Sequence, residues 1–347
     1  MNQSGDRIPT LDGWRGIAIL MVILTHFQAG MLHHPIAGQP WMFLGTHGVT
    51  IFFVLSGYLI TSRLLLEDRI NLRSFYVRRF FRLMPAAWAY LACLVFLGYL
   101  THLNTIGSDL WACLFFFRNY LHPAEIPSSS ATLHFWSLSI EEQFYLLWPP
   151  LLLLLGRKYA VMFATLAAIA CAAFKYIHWS AYNHDFYYLH TEVRADSMLV
   201  GCLLAFALAH PFVQQWFVRF GAPLFYLCLP IFAWQIVHFQ YLVPFSENIV
   251  IALLLACTSL APQSLAGRIL QWKHLAFTGQ ISYSLYLWQN LFLRSAWGSF
   301  GYFLLPLFGI GSWLILEKPL MRFGKSLSAH WDSRSRVLAT ATTGLTQ

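Results

Sequence analysis

The sequence predicts an all-α protein, a polytopic integral membrane bundle of about ten transmembrane helices with both termini in the cytoplasm. Of its 347 residues, 58% are hydrophobic and only 10% are charged, whereas soluble domains carry roughly 25% charged residues. The few charged residues are also unevenly spaced and leave long uncharged stretches. Such a chain cannot cover a water-facing surface. An ordinary soluble enzyme, a disordered chain and a small secreted disulfide protein are therefore excluded.

The uncharged stretches define the predicted spans, because a membrane-crossing helix needs about 20 predominantly apolar residues. The first stretch, 16–62, is long enough for two helices, and its middle, up to Gly48, is typical of a turn. The segment 109–117 is too short to span and is predicted to be a re-entrant or surface helix. Residues 1–325 form the predicted membrane domain, and 326–347 form a flexible cytoplasmic tail. The ten predicted spans lie near 14–34, 47–66, 83–101, 138–156, 159–176, 195–210, 221–239, 243–261, 276–296 and 299–316.

The basic residues predict the orientation, because cytoplasmic loops of membrane proteins collect Lys and Arg. With the N-terminus inside, 16 of the 22 Lys and Arg residues fall in cytoplasmic segments, and only Arg118 lies well within an outer loop. The net charge of +8 is therefore a consequence of topology, and the predicted partner is the lipid bilayer rather than nucleic acid. The six cysteines lie in apolar stretches without CxxC spacing, and no metal site is predicted.

The first span carries an arginine near its start, Arg15, and a histidine near its middle, His26. Charged groups at membrane depth cost several kcal/mol unless they are paired, so they mark function by default. His26 follows Arg15 by eleven positions, so the two side chains share a helix face about 16 Å apart. Arg15 is then at the cytoplasmic boundary and His26 near the bilayer midplane. A histidine satisfied within the core is the alternative.

The second span runs through several small residues, which allow close helix packing. Ser56 lies near the middle of this span, where it would neighbour His26 if the first two spans pair as a hairpin. A Ser–His nucleophile pair is then conceivable, but the sequence shows no acidic residue of the expected depth to orient it. Packing alone is the alternative.

Three arginines are interleaved with four aromatic residues over 75–85, just before the third span. This pattern predicts an interfacial helix in the plane of the membrane. Arg79 and Arg82 share one face of it, and guanidinium groups suit phosphate oxygens. They are therefore candidates for holding a phosphate-rich cytosolic donor. A positive-inside anchor is the alternative.

A polar cluster opens the fourth span on the predicted outer side. His134 precedes it, and Ser137 and Glu141 share a helix face because they are four residues apart. These residues are candidates for positioning an acceptor and assisting the chemistry. The alternative is a capping box, in which Ser139 and Glu142 satisfy the first turn of the helix.

Three further segments carry polar residues. Arg194 and Asp196 precede the sixth span, and an ion pair that closes the bundle is the alternative to a binding role. The ninth span has an unusually polar face with Tyr286 and Gln289, which could line a cavity or form interhelical hydrogen bonds. The last span is predicted to end at Glu317, just before a proline.

Taken in order, these motifs resemble the membrane-bound acyltransferase 3 family, which includes O-antigen, exopolysaccharide and Nod-factor O-acetyltransferases. The resemblance covers roughly residues 8–325. It implies a ten-helix bundle that uses cytosolic acyl-CoA, acetyl-CoA above all, to acylate a hydroxyl of a carbohydrate or glycosylated acceptor outside the bacterial inner membrane. The motifs are Arg15 with His26; Gly48 to Ser56-Gly57; Arg78-Arg79-x-x-Arg82-x-x-Pro85; Ser137-x-x-x-Glu141-x-x-Phe144-Tyr145; Arg194-x-Asp196; and Ile281-Ser-Tyr-Ser-Leu-Tyr286.

The resemblance also implies residue roles. The essential histidine of the family corresponds to His26, as catalytic base or acyl carrier, and its proposed donor-binding arginines correspond to Arg15, Arg79 and Arg82. We place Ser56 with the donor site and Ser137 and Glu141 with the chemistry. The family often has a histidine where Gln289 stands, so this position is predicted to recognise the acceptor. The predicted acceptor-binding residues are His134, Arg194, Asp196, Tyr286 and Gln289.

The rival class is a transporter or flippase for a polar solute or a lipid-linked sugar. It would use the same polar residues at the midplane, but transporter folds are often built from internal repeats, and none is apparent in this sequence. The acceptor, the acyl chain and the oligomeric state stay open, with a homodimer as one alternative.

Overall fold

Helices make up nearly all of the structure, a computed structural model that describes residues 8–31, 43–67, 69–101, 109–121, 129–178, 189–238, 245–293 and 300–344. No strand occurs within these ranges, as the all-α prediction requires. The helices are α1 (Pro9–Met31), α2 (Leu44–Leu66), α3 (Leu72–Thr101), α4 (Asp109–Leu114), α5 (Ser129–Thr132), α6 (Phe135–His178), α7 (Thr191–Leu208), α8 (Pro211–His238), α9 (Phe245–Leu260), α10 (Leu265–Leu270), α11 (Lys273–Gln280), α12 (Ser282–Leu293), α13 (Phe300–Ser312) and α14 (Lys318–Gly344).

Five of the described helical runs are long and apolar enough to cross a membrane. The protein is therefore a multi-pass helical membrane protein. The count of ten spans and the cytoplasmic position of both termini stay predictions. The five runs are Leu44–Leu66, Leu72–Leu100, Phe135–His178, Pro211–His238 and Phe300–Trp331.

The helical run α6 contains the fourth and fifth predicted spans. Its 44 residues are divided at Gly156, whose backbone has φ 69° and ψ 171°. A side chain is disfavoured at that positive φ, which glycine adopts at little cost. The division coincides with the boundary predicted between 138–156 and 159–176. Next to it, Arg157 Nη2 donates a hydrogen bond of 2.8 Å to the carbonyl of Leu65, which ties this turn to the end of α2.

The third helix differs from its prediction. Instead of a separate in-plane helix over 75–85, α3 is continuous from Leu72 to Thr101 with Pro85 inside it. A proline removes one backbone hydrogen bond and crowds the preceding turn. Here packing overrides that cost, because Leu83, Ala86 and Ala87 around the proline are buried in the core.

The helix end predicted at Glu317 is also wrong. A wide π-helical turn, Trp313–Glu317, leads from α13 directly into α14. Pro319 directly follows this turn, in which the Lys318 N–H bonds to the Trp313 carbonyl, and the wider turn accommodates the proline. The helix continues through the segment predicted as a flexible tail. Within that segment Ser328 is buried, and the guanidinium of Arg73 lies 3.8 Å from the ring centre of Trp331.

Two glycines allow α2 and α7 to pack with their backbones in contact. A Cβ at Gly57 would collide with the carbonyl oxygen of Met198, and a Cβ at Gly201 would collide with that of Val54. Small residues permit this kind of close helix approach inside a membrane. The backbone of α2 is thereby held in place directly beside Ser56.

Candidate active site

A cavity of about 70 Å³ lies between α1, α2, α3, α6 and α12. Ten of its fifteen lining residues carry a polar side-chain group, although the five helices around it are predominantly apolar. Seven of the predicted site residues line it: Arg15, Ser56, Arg79, Arg82, Ser137, Glu141 and Tyr286. Tertiary packing therefore gathers residues that are spread over most of the chain.

The Glu141 carboxylate is at the centre of the hydrogen bonds in this cavity. Ser56 Oγ donates to Glu141 Oε1 at 3.0 Å, and the Tyr145 hydroxyl donates to Glu141 Oε2 at 3.2 Å. The Tyr145 hydroxyl is also 3.1 Å from Ser56 Oγ, to which it can donate. The acidic partner of Ser56 that the sequence did not reveal is thus Glu141, 85 residues away along the chain.

Tyr145 is a site residue that sequence reasoning missed. It stands four residues after Glu141, the spacing that puts two side chains on one helix face. That spacing could have identified it, but Tyr145 entered the sequence argument only as part of a motif. The guanidinium carbon of Arg79 lies 4.7 Å from the centre of the Tyr145 ring, so this ring also positions one of the arginines.

Three arginines line the cavity with one carboxylate, Glu141, and Glu142 and Glu317 interact electrostatically with Arg79 and Arg82 from outside the lining. Arg15 has Asp12 Oδ1 at 3.6 Å, and Arg79 interacts electrostatically with Glu141. Arg15 and Arg82 repel each other electrostatically. Guanidinium groups in the cavity wall can donate hydrogen bonds to a ligand that brings negative charge or hydrogen-bond acceptors.

Tyr286 joins the cavity to a second group of polar side chains. Its hydroxyl is 2.5 Å from Ser137 Oγ, and it donates to the carbonyl of His134 at 3.2 Å. The His134 ring does not line the cavity; its Nδ1 is 3.0 Å from Asn290 Nδ2. Ser137 and Tyr286 therefore form part of the cavity wall, and His134 is buried behind it.

His26 does not line the cavity. Its Nδ1 is 2.9 Å from the carbonyl oxygen of Val22, one turn earlier in the same helix. It shares a face of α1 with Arg15, about 16 Å farther along the helix axis. The expected pairing with Ser56 is not seen, because the Ser56 hydroxyl points to Glu141.

Gln289 is fully buried, and neither its amide nitrogen nor its amide oxygen has a hydrogen-bond partner among the described residues. By helical periodicity it shares a face of α12 with Ser282 and Tyr286, which line the cavity. An unsatisfied buried amide is costly. This position therefore has unused hydrogen-bonding capacity one turn beyond the cavity.

Arg194 and Asp196 do not pair with each other, so the alternative of an ion pair between them is wrong. Lys175 Nζ donates to Asp196 Oδ2 at 2.8 Å, whereas Arg194 Nη2 donates to Thr50 Oγ1 at 3.0 Å. Residues two apart on a helix point in nearly opposite directions, so they cannot meet. Neither side chain lines the cavity.

The capping box considered at the start of the fourth span is also wrong. The helix begins at Phe135, so Ser139 lies inside it and donates to the Phe135 carbonyl at 2.8 Å. The predicted helix end, Glu317, is instead a buried carboxylate hydrogen-bonded to Ser284 Oγ. Across the described part of the chain, no group of three or more His, Cys, Asp or Glu side chains is arranged to hold a metal ion.

The fold and cavity define a class of protein, a helical membrane protein with a buried arginine-rich site that also holds a carboxylate and several hydroxyls. Comparison with known protein families identifies the family to which the chain belongs. A family profile described as an acyltransferase domain matches residues 8–316, most of the chain. The chain belongs to the acyltransferase 3 family, whose members transfer acyl groups.

Its relatives are named O-acetyltransferases. The peptidoglycan O-acetyltransferase OatA of Listeria monocytogenes is 29% identical over 316 positions, covering 81% of this chain and 48% of the relative. YrhL of Bacillus subtilis, provisionally named a peptidoglycan O-acetyltransferase, is 33% identical over 317 positions, with coverages of 81% and 48%. A provisionally named O-acetyltransferase of Staphylococcus aureus is 31% identical over 314 positions, with coverages of 81% and 50%. The chain spans about half the length of these curated relatives. No solved structure matches it significantly.

Proposed function

We propose that this protein is an integral membrane O-acyltransferase of the bacterial cytoplasmic membrane. It moves an acyl group from cytosolic acyl-CoA to a hydroxyl of a carbohydrate or glycosylated acceptor at the outer side. The observation that carries the proposal is the cavity that unites Arg15, Arg79 and Arg82 with Glu141. The names of the relatives favour peptidoglycan glycan as the acceptor.

The donor part of the proposal is supported by the arginines. Arg79 and Arg82 hold phosphate groups of CoA, because guanidinium groups bind phosphate oxygens through paired hydrogen bonds. Arg15 guides the pantetheine arm toward the cavity. Acyl-CoA is here a co-substrate, and the reaction needs no metal.

The size of the cavity favours acetyl as the transferred group. About 70 Å³ of accessible space corresponds to roughly five water-sized groups. An acetyl thioester fits this space, whereas a long acyl chain does not. The nucleotide part of the donor then stays outside the cavity, on the cytoplasmic side.

The acceptor part of the proposal uses His26 and the residues around Tyr286. His26 acts as the base that deprotonates the acceptor hydroxyl, or it carries the acyl group as an acyl-imidazole. Glu141 and Ser137 assist the chemistry from the cavity. Tyr286, Gln289 and His134 recognise the acceptor, and Arg194 and Asp196 contribute to acceptor binding from the outer ends of the helices.

A thiol-release assay tests the proposal with the purified full chain in lipid nanodiscs, acetyl-CoA and soluble peptidoglycan fragments. We expect release of free CoA that depends on the fragments, and mass spectrometry should find acetyl groups on them. His26→Ala should abolish the transfer. His238→Ala is the matched control, because His238 makes the same 2.9 Å contact with a carbonyl of its own helix.

The rival transporter function makes the opposite prediction. It would show movement of a polar solute or lipid-linked sugar across a proteoliposome membrane without acceptor-dependent release of CoA. Wild-type acetyl transfer by His26→Ala would contradict the role of this histidine but not the acyltransferase activity itself.

A further inference from the structure

Ser56, Ser284 and Thr132 each donate a hydrogen bond to a carboxylate of another helix, and of these three hydroxyls only that of Ser56 lines the cavity. Five threonines among the described residues donate to the carbonyl four residues earlier in their own helix: Thr25, Thr50, Thr165, Thr258 and Thr278. That bond is a common arrangement for a helical hydroxyl. Ser56 Oγ instead donates across to α6, to Glu141 Oε1 at 3.0 Å. Its proton is therefore directed at a carboxylate.

The contacts of Ser56 match those of an activated nucleophile. A nucleophilic hydroxyl needs a base within hydrogen-bond reach, and a third group to orient that base. Glu141 is the base, and the Tyr145 hydroxyl donates to its other oxygen at 3.2 Å. Tyr145 is also 3.1 Å from Ser56 Oγ. The three side chains thus form a closed triangle.

The backbone under Ser56 is held rigidly. The next residue, Gly57, packs against the carbonyl of Met198 without room for a Cβ, and Gly201 packs against Val54 in the same way. Side chains that perform chemistry must be held close to a productive geometry, and they are held best on packed helices. Close packing of α2 against α7 does this for Ser56.

The remaining walls of the cavity suit a reacting thioester. Arg15 and Arg82 line it beside Ser56. Fixed donors of this kind stabilise the negative charge that develops on a carbonyl oxygen during attack. The accessible space, about 70 Å³, suits an acetyl group. A carrier in its wall would let the thioester and the acceptor hydroxyl use this space in turn.

We propose that Ser56 is the acyl carrier of a two-step transfer, a proposal that rests on the acyltransferase function above. Glu141 takes the proton of Ser56 Oγ as the oxygen attacks the thioester carbonyl carbon. The carbon–sulfur bond breaks, and the leaving sulfur receives the proton from Glu141, giving CoA thiol and acyl-Ser56. In the second step Glu141 takes the proton of the acceptor hydroxyl, and the acceptor oxygen attacks the carbonyl carbon of the acyl-Ser56 ester. Ser56 Oγ leaves and regains a proton, giving the acylated acceptor.

The covalent step accounts for transfer between two sides of a membrane. CoA departs on the cytoplasmic side while the acyl group stays on Ser56, and the acceptor then enters the same space from the outer side. In this scheme Glu141 is the base of both steps, and His26, which lies outside the cavity lining, does not carry the acyl group.

The test is to trap the intermediate in the absence of an acceptor. The purified full chain in nanodiscs is mixed with radiolabelled acetyl-CoA and quenched in acid, and its peptides are mapped by mass spectrometry. We expect one acetyl group on the peptide that contains Ser56. Ser56→Ala should lose this label. Ser56→Cys should carry it as a thioester, which neutral hydroxylamine removes much faster than it removes the serine ester.

Two further variants separate chemistry from folding. Glu141→Gln keeps the shape of the side chain but removes the base. The rate at which label appears on Ser56 should therefore fall by a factor of about a hundred or more. Ser62→Ala, a matched change on the same helix outside the cavity lining, should label at the wild-type rate. Thermal unfolding of each variant shows whether it is folded. Retention of the thioester by Ser56→Cys would also show that the site is intact.

The outcomes distinguish this proposal from the function on which it rests. Label on His26 or a tyrosine, full labelling of Ser56→Ala, or acceptor-dependent CoA release without any protein-bound acetyl would overturn the serine carrier while leaving the acyltransferase function standing. Absence of CoA release and of label in the wild-type protein would overturn both.

Discussion

Arg78 and Arg79 are adjacent in α3, yet their guanidinium groups have different surroundings. Arg78 Nη2 forms a partly exposed ion pair with Glu67 at 3.3 Å. Arg79 lines the cavity and lies over the rings of Tyr145 and Phe75, with its guanidinium carbon 4.7 Å and 5.6 Å from their centres. The flat guanidinium suits both the aromatic faces and a phosphate, whereas an ammonium group does not.

A charge-preserving substitution tests this difference. Arg79→Lys should raise KM for acetyl-CoA about tenfold or more, because a hydrogen bond to a charged group contributes roughly 1.5–3 kcal/mol. Arg78→Lys is the matched control and should leave KM close to the wild-type value. The measurement is the initial rate of thiol release over a range of acetyl-CoA concentrations. An equal change in the two variants would show that Arg79 has no special role in donor binding.

Residue spacing could predict some of this site and not the rest. The eleven-residue interval placed Arg15 and His26 on one helix face, and the four-residue interval did the same for Ser137 and Glu141. Residue spacing could not show that Ser56 forms a hydrogen bond with Glu141. Helical periodicity relates residues of one helix and does not indicate which helix packs against it.

At the scale of single elements, the packing of α2 against α7 depends on glycine. The sequence predicted close packing from the small residues around Gly57, and the structure shows that the partner is the backbone of α7 at Met198. The carbonyl of that helix occupies the space that a side chain at position 57 would need. Any substitution there must push the two helices apart.

Gly57→Ala should therefore lower the stability of the protein by about 1–3 kcal/mol, the usual cost of overpacking. Gly311→Ala is the matched control. A Cβ at Gly311 meets no atom within 4 Å, so this helical substitution should leave stability unchanged or raise it. Thermal unfolding in detergent, followed by intrinsic tryptophan fluorescence, measures both. A similar unfolding temperature for the two variants would contradict the tight contact.

Element boundaries were predicted best where uncharged stretches end and least well at prolines. Pro85 and Pro319 suggested a helix boundary and a helix stop, yet both lie inside helical segments. The penalty of a proline is a local cost of about 3 kcal/mol in a helix interior. Packing of α3 offsets that cost at Pro85, and the π-helical turn before Pro319 accommodates the proline there.

At the scale of the whole molecule, the cavity forms only because five helices converge. The walls come from residues between Arg15 and Tyr286, so no single segment contains the site. From its limited volume we predict that the protein transfers short acyl groups in preference to long ones. The apolar part of its wall includes Leu83 and Phe52, which limit the space available to an acyl chain.

Acyl-chain selectivity tests this arrangement. The kcat/KM for hexanoyl-CoA should be about tenfold or more below that for acetyl-CoA, because placing extra methylenes in filled space costs about 1–3 kcal/mol. Leu83→Ala should narrow this difference by enlarging the cavity. Leu91→Ala, a change of a buried residue of α3 outside the cavity lining, should not. Wild-type selectivity in Leu83→Ala would argue against this cavity as the acyl site.

The sequence by itself determined the membrane class, the helical architecture and the family, because hydrophobic spans, helical periodicity and ordered motifs are encoded locally along the chain. It also identified seven of the fifteen residues that line the cavity. Only the tertiary structure decided which of them meet. In it Ser56 hydrogen-bonds with Glu141 and Tyr145. Asp196 pairs with Lys175 rather than with Arg194, and His26 lies outside the cavity lining. These pairings depend on which helix faces come into contact, a property of the packed bundle rather than of any one segment.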